Sequence, residues 1–408
     1  MNQRVNPLLW AVALLAIGVS GVARADVVTE WNVKGGEFIT AARPITQQAS
    51  RVMALAHTAA YEAANAITRR YPGGNRIRLE PKSDASVDAA IGAAHCAVLG
   101  RLLPTQQAAI DAACKAALDK IGDGAAKEAG IAAGQQAAAL MLAARDDDGA
   151  GAPEAYRPTT TAGAYVPTTI PATTMWPQRK PWLLASASQF RPGAPPALTS
   201  ERWARDYNEI KAVGGSASTL RSAEQTEIAR FWETTLPPIY YGLVRNVAEM
   251  PGRDVMRNAR LFAAVTQAID DALIAVFDAK YHYGFWRPIT AIRNGDVDGN
   301  DATERDASWA PLIDTPMHPE YPCAHCIQAA TVGTLLQAEL GHTPAPTFTT
   351  TSPTATAGPR RWSSVEAFVL EVGNARVYDG VHYRTSSEVG IAMGRRVGAL
   401  AAERFLND

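Results

Sequence analysis

The sequence predicts an all-α protein, and two features of the chain indicate this fold class. Alanine-rich stretches of helix-favouring residues recur along the chain, whereas the apolar–polar alternation of half-buried strands is rare. The length of 408 residues and the composition, 47% hydrophobic and 19% charged, suit a globular chain with a large core. The net charge of -1 gives no overall attraction to nucleic acid, so we expect no nucleic-acid partner.

The N-terminus is typical of an export signal. Arg4 precedes an apolar stretch over residues 8–22, and Ala23-Arg24-Ala25 forms a small-x-small cleavage site. The apolar stretch is shorter than the ~20 residues of a membrane span, which favours cleavage over anchoring. We therefore expect a signal peptide over residues 1–25, no membrane span after its removal, and a periplasmic or secreted protein.

Helical periodicity and capping residues place the elements in order. After an extended lead-in over residues 26–40, the pattern predicts helices over residues 41–65, 86–103, 104–121, 125–145, 200–213, 222–235, 253–280, 322–340, 363–378 and 385–405. Capping pairs mark three of these helix starts, namely Ser222 with Gln225, Ser363 with Glu366, and Thr385 with Glu388.

Residues 146–199 differ in composition from the helical regions on either side. They are rich in Pro, Thr and Gly, and they contain Trp176 and Trp182, whereas aromatic residues are unusual in flexible linkers. We interpret this stretch as an ordered wrapping segment between an N-terminal bundle, residues 26–145, and a C-terminal bundle, residues 200–408. The alternative is a flexible linker between two helical halves.

Three segments contain side chains that could take part in catalysis, and the first runs from Lys280 to Pro288. Lys280 and Arg287 are about two helical turns apart. Because Pro288 disfavours helical backbone at Arg287, we expect the helix to end between the two cations. Two cations that point into one pocket repel each other unless an anion lies between them, although most pairs at this spacing are simply solvated.

The second segment is Pro322-Cys323-Ala324-His325. Pro322 suits the first position of a helix, which would place the next three residues in its first turn. Backbone N–H groups are unsatisfied there and face the positive end of the helix dipole, an arrangement that favours a bound oxyanion. His325 could exchange a proton with such an anion, or it could be an ordinary helix cap or a surface residue.

The third segment runs from Arg376 to His382. Arg376 lies near the end of a predicted helix, and Gly380 prevents the helix from continuing to His382. We therefore expect His382 in a tight loop. Its imidazole could act as a nucleophile or bind a metal, or it could have no chemical role.

Taken in order, these segments resemble the signature of the vanadium-dependent haloperoxidases and the related type 2 phosphatidic acid phosphatases and bacterial acid phosphatases. That signature is Lys-x6-Arg-Pro, then Pro-Ser-Gly-His, then Ser-Arg-x5-His-x3-Asp. Residues 51–67, 189–196 and 318–322 are also similar to bacterial haloperoxidase-like proteins, so the resemblance covers most of the chain. It implies two packed helical bundles merged into one unit, with the site in the C-terminal bundle.

The resemblance also implies roles for individual residues. Lys280, Arg287 and Arg376 would bind the oxygens of vanadate or phosphate, together with Cys323 and Ala324 of the second motif. His325 would be the acid/base. His382 would be the vanadium ligand in a peroxidase or the phosphorylated nucleophile in a phosphatase. Vanadate resembles the transition state of phosphoryl transfer, which is why one pocket serves both chemistries.

Four positions depart from the signature, and each one changes a contact near the oxyanion. The chain has Cys323 in place of Ser, Ala324 in place of Gly, Ala375 in place of Ser, and Ser386 in place of Asp. The family's Asp orients the catalytic imidazole, as carboxylates do at other histidine sites. The candidates to replace that carboxylate are Glu388, Asp271, Asp278 and Asp379, and the sequence does not rank them.

The four cysteines are Cys96, Cys114, Cys323 and Cys326, and they allow three disulfide pairings. Cys323 and Cys326 form a Cys-x-x-Cys pair. Neither the second half of a zinc site nor a thioredoxin-like pattern accompanies this pair, so a disulfide or two buried thiols is favoured over a redox centre.

Three functions follow from these observations. The first is an exported haloperoxidase-like enzyme that binds vanadate and uses peroxide to oxidise halide. The second is an acid phosphatase that hydrolyses phosphomonoesters through a phosphorylated His382. The third is a non-catalytic protein that binds oxyanions, which the four departures make plausible.

Overall fold

The computed structural model describes residues 25–71 and 77–406, and in that part of the chain it is built almost entirely of helices. The predicted signal peptide lies outside the described residues except for Ala25. The helices are α1 Val27–Ala42, α2 Thr46–Thr68, α3 Val87–Leu102, α4 Gln107–Leu118, α5 Ala125–Ala144, α6 Glu201–Val213, α7 Ala223–Phe231, α8 Pro238–Ala248, α9 Val255–Tyr283, α10 Pro288–Arg293, α11 Ala324–Leu340, α12 Val365–Tyr378 and α13 Arg384–Phe405. The all-α prediction is confirmed.

Helix α9 is shared by the two halves of the molecule. It packs against α2, which itself packs on α3 and α5, and on its other side it packs against α11 and α13. Apolar residues cover most of its circumference, as expected for a helix surrounded by other helices. The main hydrophobic core therefore contains residues from both halves, from α1 to α13, and a second buried cluster forms around Trp203, Trp286 and Tyr383.

Helices α11 and α13 approach each other closely because α13 presents glycine to α11 at successive turns. A side chain at Gly390 or Gly394 would collide with the carbonyl of Cys323 or Ile327. The close approach fixes the start of α11 against the start of α13, and each of these helix starts carries part of the candidate site.

The Pro/Thr-rich stretch is held to α9 by buried carboxylates. Asp271 accepts the backbone N–H groups of residues 182–184 at 2.7–2.9 Å. Arg179 pairs with Asp148 at 2.7 Å and with Asp270 at 2.6 Å, and all three side chains are buried. Tyr165 donates its N–H to the Gly284 carbonyl at the end of α9.

The lead-in over residues 26–40 was predicted to be extended, and this prediction is wrong. Asp26 caps α1 by accepting the N–H of Thr29, and Trp31, Phe38 and Ile39 bury one face of this helix. Burial of that face outweighs the low helix propensity of its glycine pair.

Other elements begin differently from the prediction or were not predicted. Helices α8 and α10 and the hairpin of β1 Phe348–Thr350 with β2 Arg360–Trp362 were missed. The pair of Ser222 and Gln225 forms a complete capping box, as predicted. By contrast, Ser364 rather than Ser363 caps α12, and α13 begins after Tyr383 without a side-chain cap.

The cysteines pair as Cys96–Cys114, which links α3 to α4, and as Cys323–Cys326. Within the described residues, no single helix is both long and apolar enough to cross a membrane. One bent pair, residues 87–102 with residues 104–118, passes this test by length and composition alone.

Candidate active site

Lys280 reaches the site from the last turn of α9. This helix ends where Gly284 takes a left-handed conformation (φ 55°) and donates its N–H to the Lys280 carbonyl. The predicted helix end between the first two cations is therefore confirmed. The Lys280 side chain is fully buried, and its Nζ donates to the carbonyls of Pro319 (2.9 Å) and Glu320 (2.8 Å). An ammonium group has three N–H bonds, so one remains for a ligand.

Arg287 immediately precedes α10, in the extended conformation that the following Pro288 favours. Its buried guanidinium is held by backbone carbonyls, with Nε 2.8 Å from the His318 oxygen and Nη1 2.8 Å from the Val381 oxygen. Nη2 lies 3.0 Å from His318 Nδ1, and Nη1 lies 3.4 Å from His382 Nε2. All these partners are uncharged, so they orient the guanidinium without cancelling its charge.

Arg376 lies in the last turn of α12 and is 1% exposed. Its Nη1 donates to the Trp232 carbonyl (3.1 Å) and lies 2.7 Å from Asp379 Oδ2. Its Nε has no acceptor among the described residues. A buried N–H group without a partner is costly, and an anion oxygen would satisfy it.

His382 lies in the bend after Gly380 (φ 85°), as predicted, and its N–H donates to the Arg376 carbonyl at 3.0 Å. Its Nδ1 lies 2.9 Å from Glu320 Oε1. When Glu320 is ionised it can only accept hydrogen bonds, so Nδ1 then carries the proton and Nε2 keeps its lone pair. Burial and then Arg287 hold the pKa of His382 well below its usual value, so the ring is neutral.

His325 lies in the first turn of α11, and its Nε2 donates to the Thr234 carbonyl at 3.1 Å. Its backbone carbonyl accepts the hydroxyl of Tyr240 at 3.2 Å. Burial and the charge of Arg376 hold the pKa of His325 well below its usual value. The ring is therefore neutral, with Nδ1 as its acceptor nitrogen.

The cations of the site destabilise one another. Burial and the charge of Arg287 hold the pKa of Lys280 well below its usual value. Burial also lowers the pKa of Arg287 to about 10. A bound anion would relieve both effects, because it supplies the charge that the surrounding carbonyls do not.

Comparisons with known proteins identify the fold that carries this arrangement. Residues 260–407 match the VCPO second helical-bundle domain, and this span contains all the candidate site residues. That part of the C-terminal bundle is therefore similar to this domain. The crystal structure of the first bacterial vanadium-dependent iodoperoxidase is similar in fold, with a TM-score of 0.78 and 23% identity over 93% of this chain and 96% of that one.

A bacterial vanadium-dependent chloroperoxidase of holo type is also similar, with a TM-score of 0.72 and 17% identity over 88% of this chain and 92% of that one. No curated protein sequence matches the chain. The described chain thus has the fold of the bacterial vanadium haloperoxidases across both of its halves.

Where the haloperoxidase signature has Ser, Cys323 does not offer a free donor. Its Sγ is bonded to Cys326 and accepts the Cys326 N–H at 3.1 Å, and its own N–H donates to the Ser386 carbonyl at 3.2 Å. The predicted oxyanion contact of Cys323 is therefore not available in this structure. Ala324 begins α11, so the N–H groups of Ala324 and His325 lie in the first turn, where a helix has no internal acceptors.

The predicted start of α11 also needs a correction. Pro322 is not the first residue of the helix. It lies before the capping residue Cys323, and the Tyr321–Pro322 peptide bond is cis.

The carboxylate that contacts His382 is Glu320, which was not among the candidates predicted from the sequence. Glu320 occupies the position that we expected of Glu388, Asp271, Asp278 or Asp379. Each of these four has another environment, since Glu388 is exposed and the three aspartates bind the wrapping segment, Arg191 and Arg376 respectively. His318 was missed as well.

Both missed residues lie in the sequence His-Pro-Glu-Tyr-Pro, which the resemblance had already marked without assigning it a role. This run of residues was the available signal, because chain connectivity keeps a histidine and a glutamate that directly precede the second motif near the site.

The residues present fit a bound oxyanion such as vanadate. The fit rests on the unpartnered Nε–H of Arg376, on the remaining N–H of Lys280, and on the lone pair of His382 Nε2 beside Arg287. Three cations and one acceptor nitrogen are the donor set that a metal oxyanion needs.

Proposed function

We propose that this protein is an exported vanadium-dependent haloperoxidase-like enzyme that uses peroxide to oxidise halide. The observation that carries the proposal is the convergence of three buried cations on a neutral histidine whose outer nitrogen keeps its lone pair. The fold of the two bacterial haloperoxidases supports it. Export rests on the N-terminal sequence, and N-terminal sequencing of the purified protein would test it.

In this proposal, Lys280, Arg287 and Arg376 bind the oxygens of vanadate, and His382 Nε2 is the ligand to the metal. Vanadate held in this way supplies Lewis acidity that activates peroxide toward attack by a halide ion. The cations keep negative charge in the pocket and do so in a dry site, where each charged hydrogen bond is strong.

In this proposal, His325 moves the proton that peroxide must lose on binding. Its ring is neutral, and the hydrogen bond to the Thr234 carbonyl fixes Nε2 as the donor, so Nδ1 can accept a proton. A base with a lowered pKa returns that proton readily, which suits the later release of water or hydroxide.

The phosphatase alternative uses the same groups with different bonds. Phosphate would occupy the three cations, and His382 Nε2 would attack phosphorus rather than bind a metal. The two functions therefore differ in substrates, not in the residues that hold the anion.

The test is halide-dependent oxidation of an organic dye by the purified protein, measured with and without added vanadate and peroxide. We expect turnover only with both, and its loss in His382→Ala. His342→Ala is the matched control, because His342 is exposed and lies outside the site. Phosphomonoester hydrolysis that vanadate inhibits, without halide oxidation, would replace the proposal with the phosphatase. Anion binding without either activity would leave only a binding protein.

A further inference from the structure

We propose that Glu320 is the positioning residue for His382, and that it acts from the segment before α11 in place of the family aspartate that this chain replaces with Ser386. This inference rests on the proposed function, because positioning matters only if His382 Nε2 meets an anion. The observation behind it is that a buried carboxylate contacts the inner nitrogen of His382 from a different element of the fold.

Glu320 contacts the imidazole of His382 directly and also binds the backbone next to it. Glu320 Oε1 accepts from His382 Nδ1 at 2.9 Å and from the backbone N–H of Tyr383 at 3.0 Å. Glu320 is fully buried, so water does not compete for this oxygen. The carboxylate thus fixes both the rotation of the imidazole and the backbone that carries it.

Ser386 cannot do this work in the same way. Its hydroxyl lies 3.4 Å from His382 Nδ1, the nitrogen that an aspartate at this position would contact in the family signature. A hydroxyl can donate as well as accept, so it does not force the proton onto Nδ1. A carboxylate does force it, because an ionised carboxylate only accepts.

The segment that carries Glu320 also holds two of the three cations. The carbonyls of Pro319 and Glu320 accept from Lys280 Nζ, and the carbonyl of His318 accepts from Arg287 Nε. Residues 318–320 therefore connect the metal-facing histidine to the anion-binding side chains. This connection explains how the carboxylate could move to another element without loss of the geometry.

The consequence is a single tautomer of His382. With Nδ1–H directed at Glu320, the lone pair of Nε2 faces Arg287 Nη1 at 3.4 Å. Without the carboxylate, the other tautomer would place a proton on Nε2 and block the bond to an incoming metal or phosphorus atom.

The experiment compares Glu320→Gln with the double variant Glu320→Gln/Ser386→Asp. Vanadate affinity should fall about 10–100-fold in Glu320→Gln, the usual cost of losing a group that orients a ligand histidine. The double variant should regain most of that loss, because it restores a carboxylate at the family position. The control is Glu388→Gln, an exposed carboxylate on α13, which should leave affinity unchanged.

A second readout separates positioning from general damage. In protein labelled with nitrogen-15 at histidine, we expect the His382 ring to be protonated at Nδ1 in the native protein and in the double variant. In Glu320→Gln we expect a mixed or reversed tautomer. If Glu320→Gln does not fold, Glu320→Asp takes its place, and it should show a smaller loss of affinity with the same tautomer as the native protein.

Two results would overturn the inference. One is native-like vanadate affinity and an unchanged Nδ1 proton in Glu320→Gln. The other is a loss that Ser386→Asp does not repair although the double variant folds. Failure of the proposed function is a separate outcome, since the native protein would then bind no vanadate while the ring spectra would still report the role of Glu320.

Discussion

Two buried clusters of charged side chains each include residues of α9, and they are built in opposite ways. The anchor cluster consists of Asp148, Arg179, Asp270 and Asp271, and it attaches the wrapping segment. The oxyanion cluster consists of Lys280, Arg287, Arg376, His325, His382 and Glu320. In the anchor cluster each charge meets an opposite charge or a backbone donor. In the oxyanion cluster the cations are held mainly by neutral carbonyls.

The difference separates buried charges that are compensated within the fold from those that we propose bind a ligand. Arg179 has carboxylates on both sides, at 2.6 and 2.7 Å, so its burial is compensated within the chain. In the described part of the chain, no carboxylate lies within hydrogen-bond distance of Arg287, and its neighbours orient it without neutralising it. An uncompensated buried cation is costly to the fold, and this cost supports the proposed anion site.

The largest effect on stability is expected at the anchor cluster. Arg179→Met should lower the free energy of unfolding by about 3–5 kcal/mol, because it leaves Asp148 and Asp270 buried with less compensation. Urea denaturation followed by circular dichroism measures this. Arg191→Met is the matched control at a partly exposed pair with Asp278, where the expected loss is about 1 kcal/mol or less. Equal losses in the two variants would contradict the role given to the anchor cluster.

The next largest effect is expected at the oxyanion cluster, where a substitution should weaken anion binding more than it lowers stability. Lys280→Met should weaken vanadate binding about 10–100-fold, because it removes a charged hydrogen bond. Stability without anion should fall much less than in Arg179→Met, since the variant also removes a buried charge that its neighbours repel. Calorimetric titration and denaturation measure the two quantities. A large stability loss with unchanged affinity would show that Lys280 is a structural cation.

The pH dependence of kcat/KM for halide oxidation sharpens the same comparison. Burial raises the pKa of Glu320 to about 7 although Lys280 and Arg287 lower it. Activity should therefore rise as pH increases through this value, because the ionised carboxylate accepts the hydrogen bond from His382 Nδ1 without donating one itself. As pH rises further, activity should fall again when Lys280 loses its proton. This alkaline decline should begin below pH 10.5, the ordinary pKa of lysine, because the pKa of Lys280 is lowered.

Lys280→Arg tests the alkaline limb of that profile. Since arginine keeps its charge, the limb should move to higher pH or disappear in this variant, even if overall activity is reduced. An alkaline limb that stays in place would assign it to another group. An acid limb near the ordinary pKa of a glutamate would remove Glu320 from the account.

The smallest effect is expected at the disulfide that begins α11. Cys326→Ser leaves the Cys323 thiol free, and Cys323→Ser supplies the hydroxyl of the family signature. Each restores a donor that the disulfide removes, so vanadate affinity should rise about 2–10-fold, the range of one neutral hydrogen bond. Vanadate titration of both variants measures it. Unchanged affinity in both would place residue 323 outside the oxyanion contacts.

Much of the fold and of the cationic part of the site could be predicted from the sequence. Lys280, Arg287, Arg376 and the two histidines lie in short segments whose helix ends are encoded locally, by Gly284, Pro288 and Gly380. Local patterns of this kind predict helix ends well because they depend on backbone geometry rather than on distant partners.

The rest depended on contacts that no local pattern encodes. Glu320 and His382 are 62 residues apart, and neither periodicity nor capping links them. The prediction of an extended lead-in was wrong for a related reason, because α1 gains its stability from burying Trp31 and Phe38 against other helices. The start of α11 was misplaced because Pro322 suits a first helical position locally, while Cys323 takes the cap.

Titration of the purified protein with vanadate tests the central claim most directly, since the claim is that the oxyanion cluster is an anion site the chain leaves open. The account predicts saturable binding of one vanadate per chain, a rise in Tm that follows saturation, and loss of both in His382→Ala. Arg191→Met should bind as the native protein does. Absence of saturable binding by the folded native protein would contradict the account.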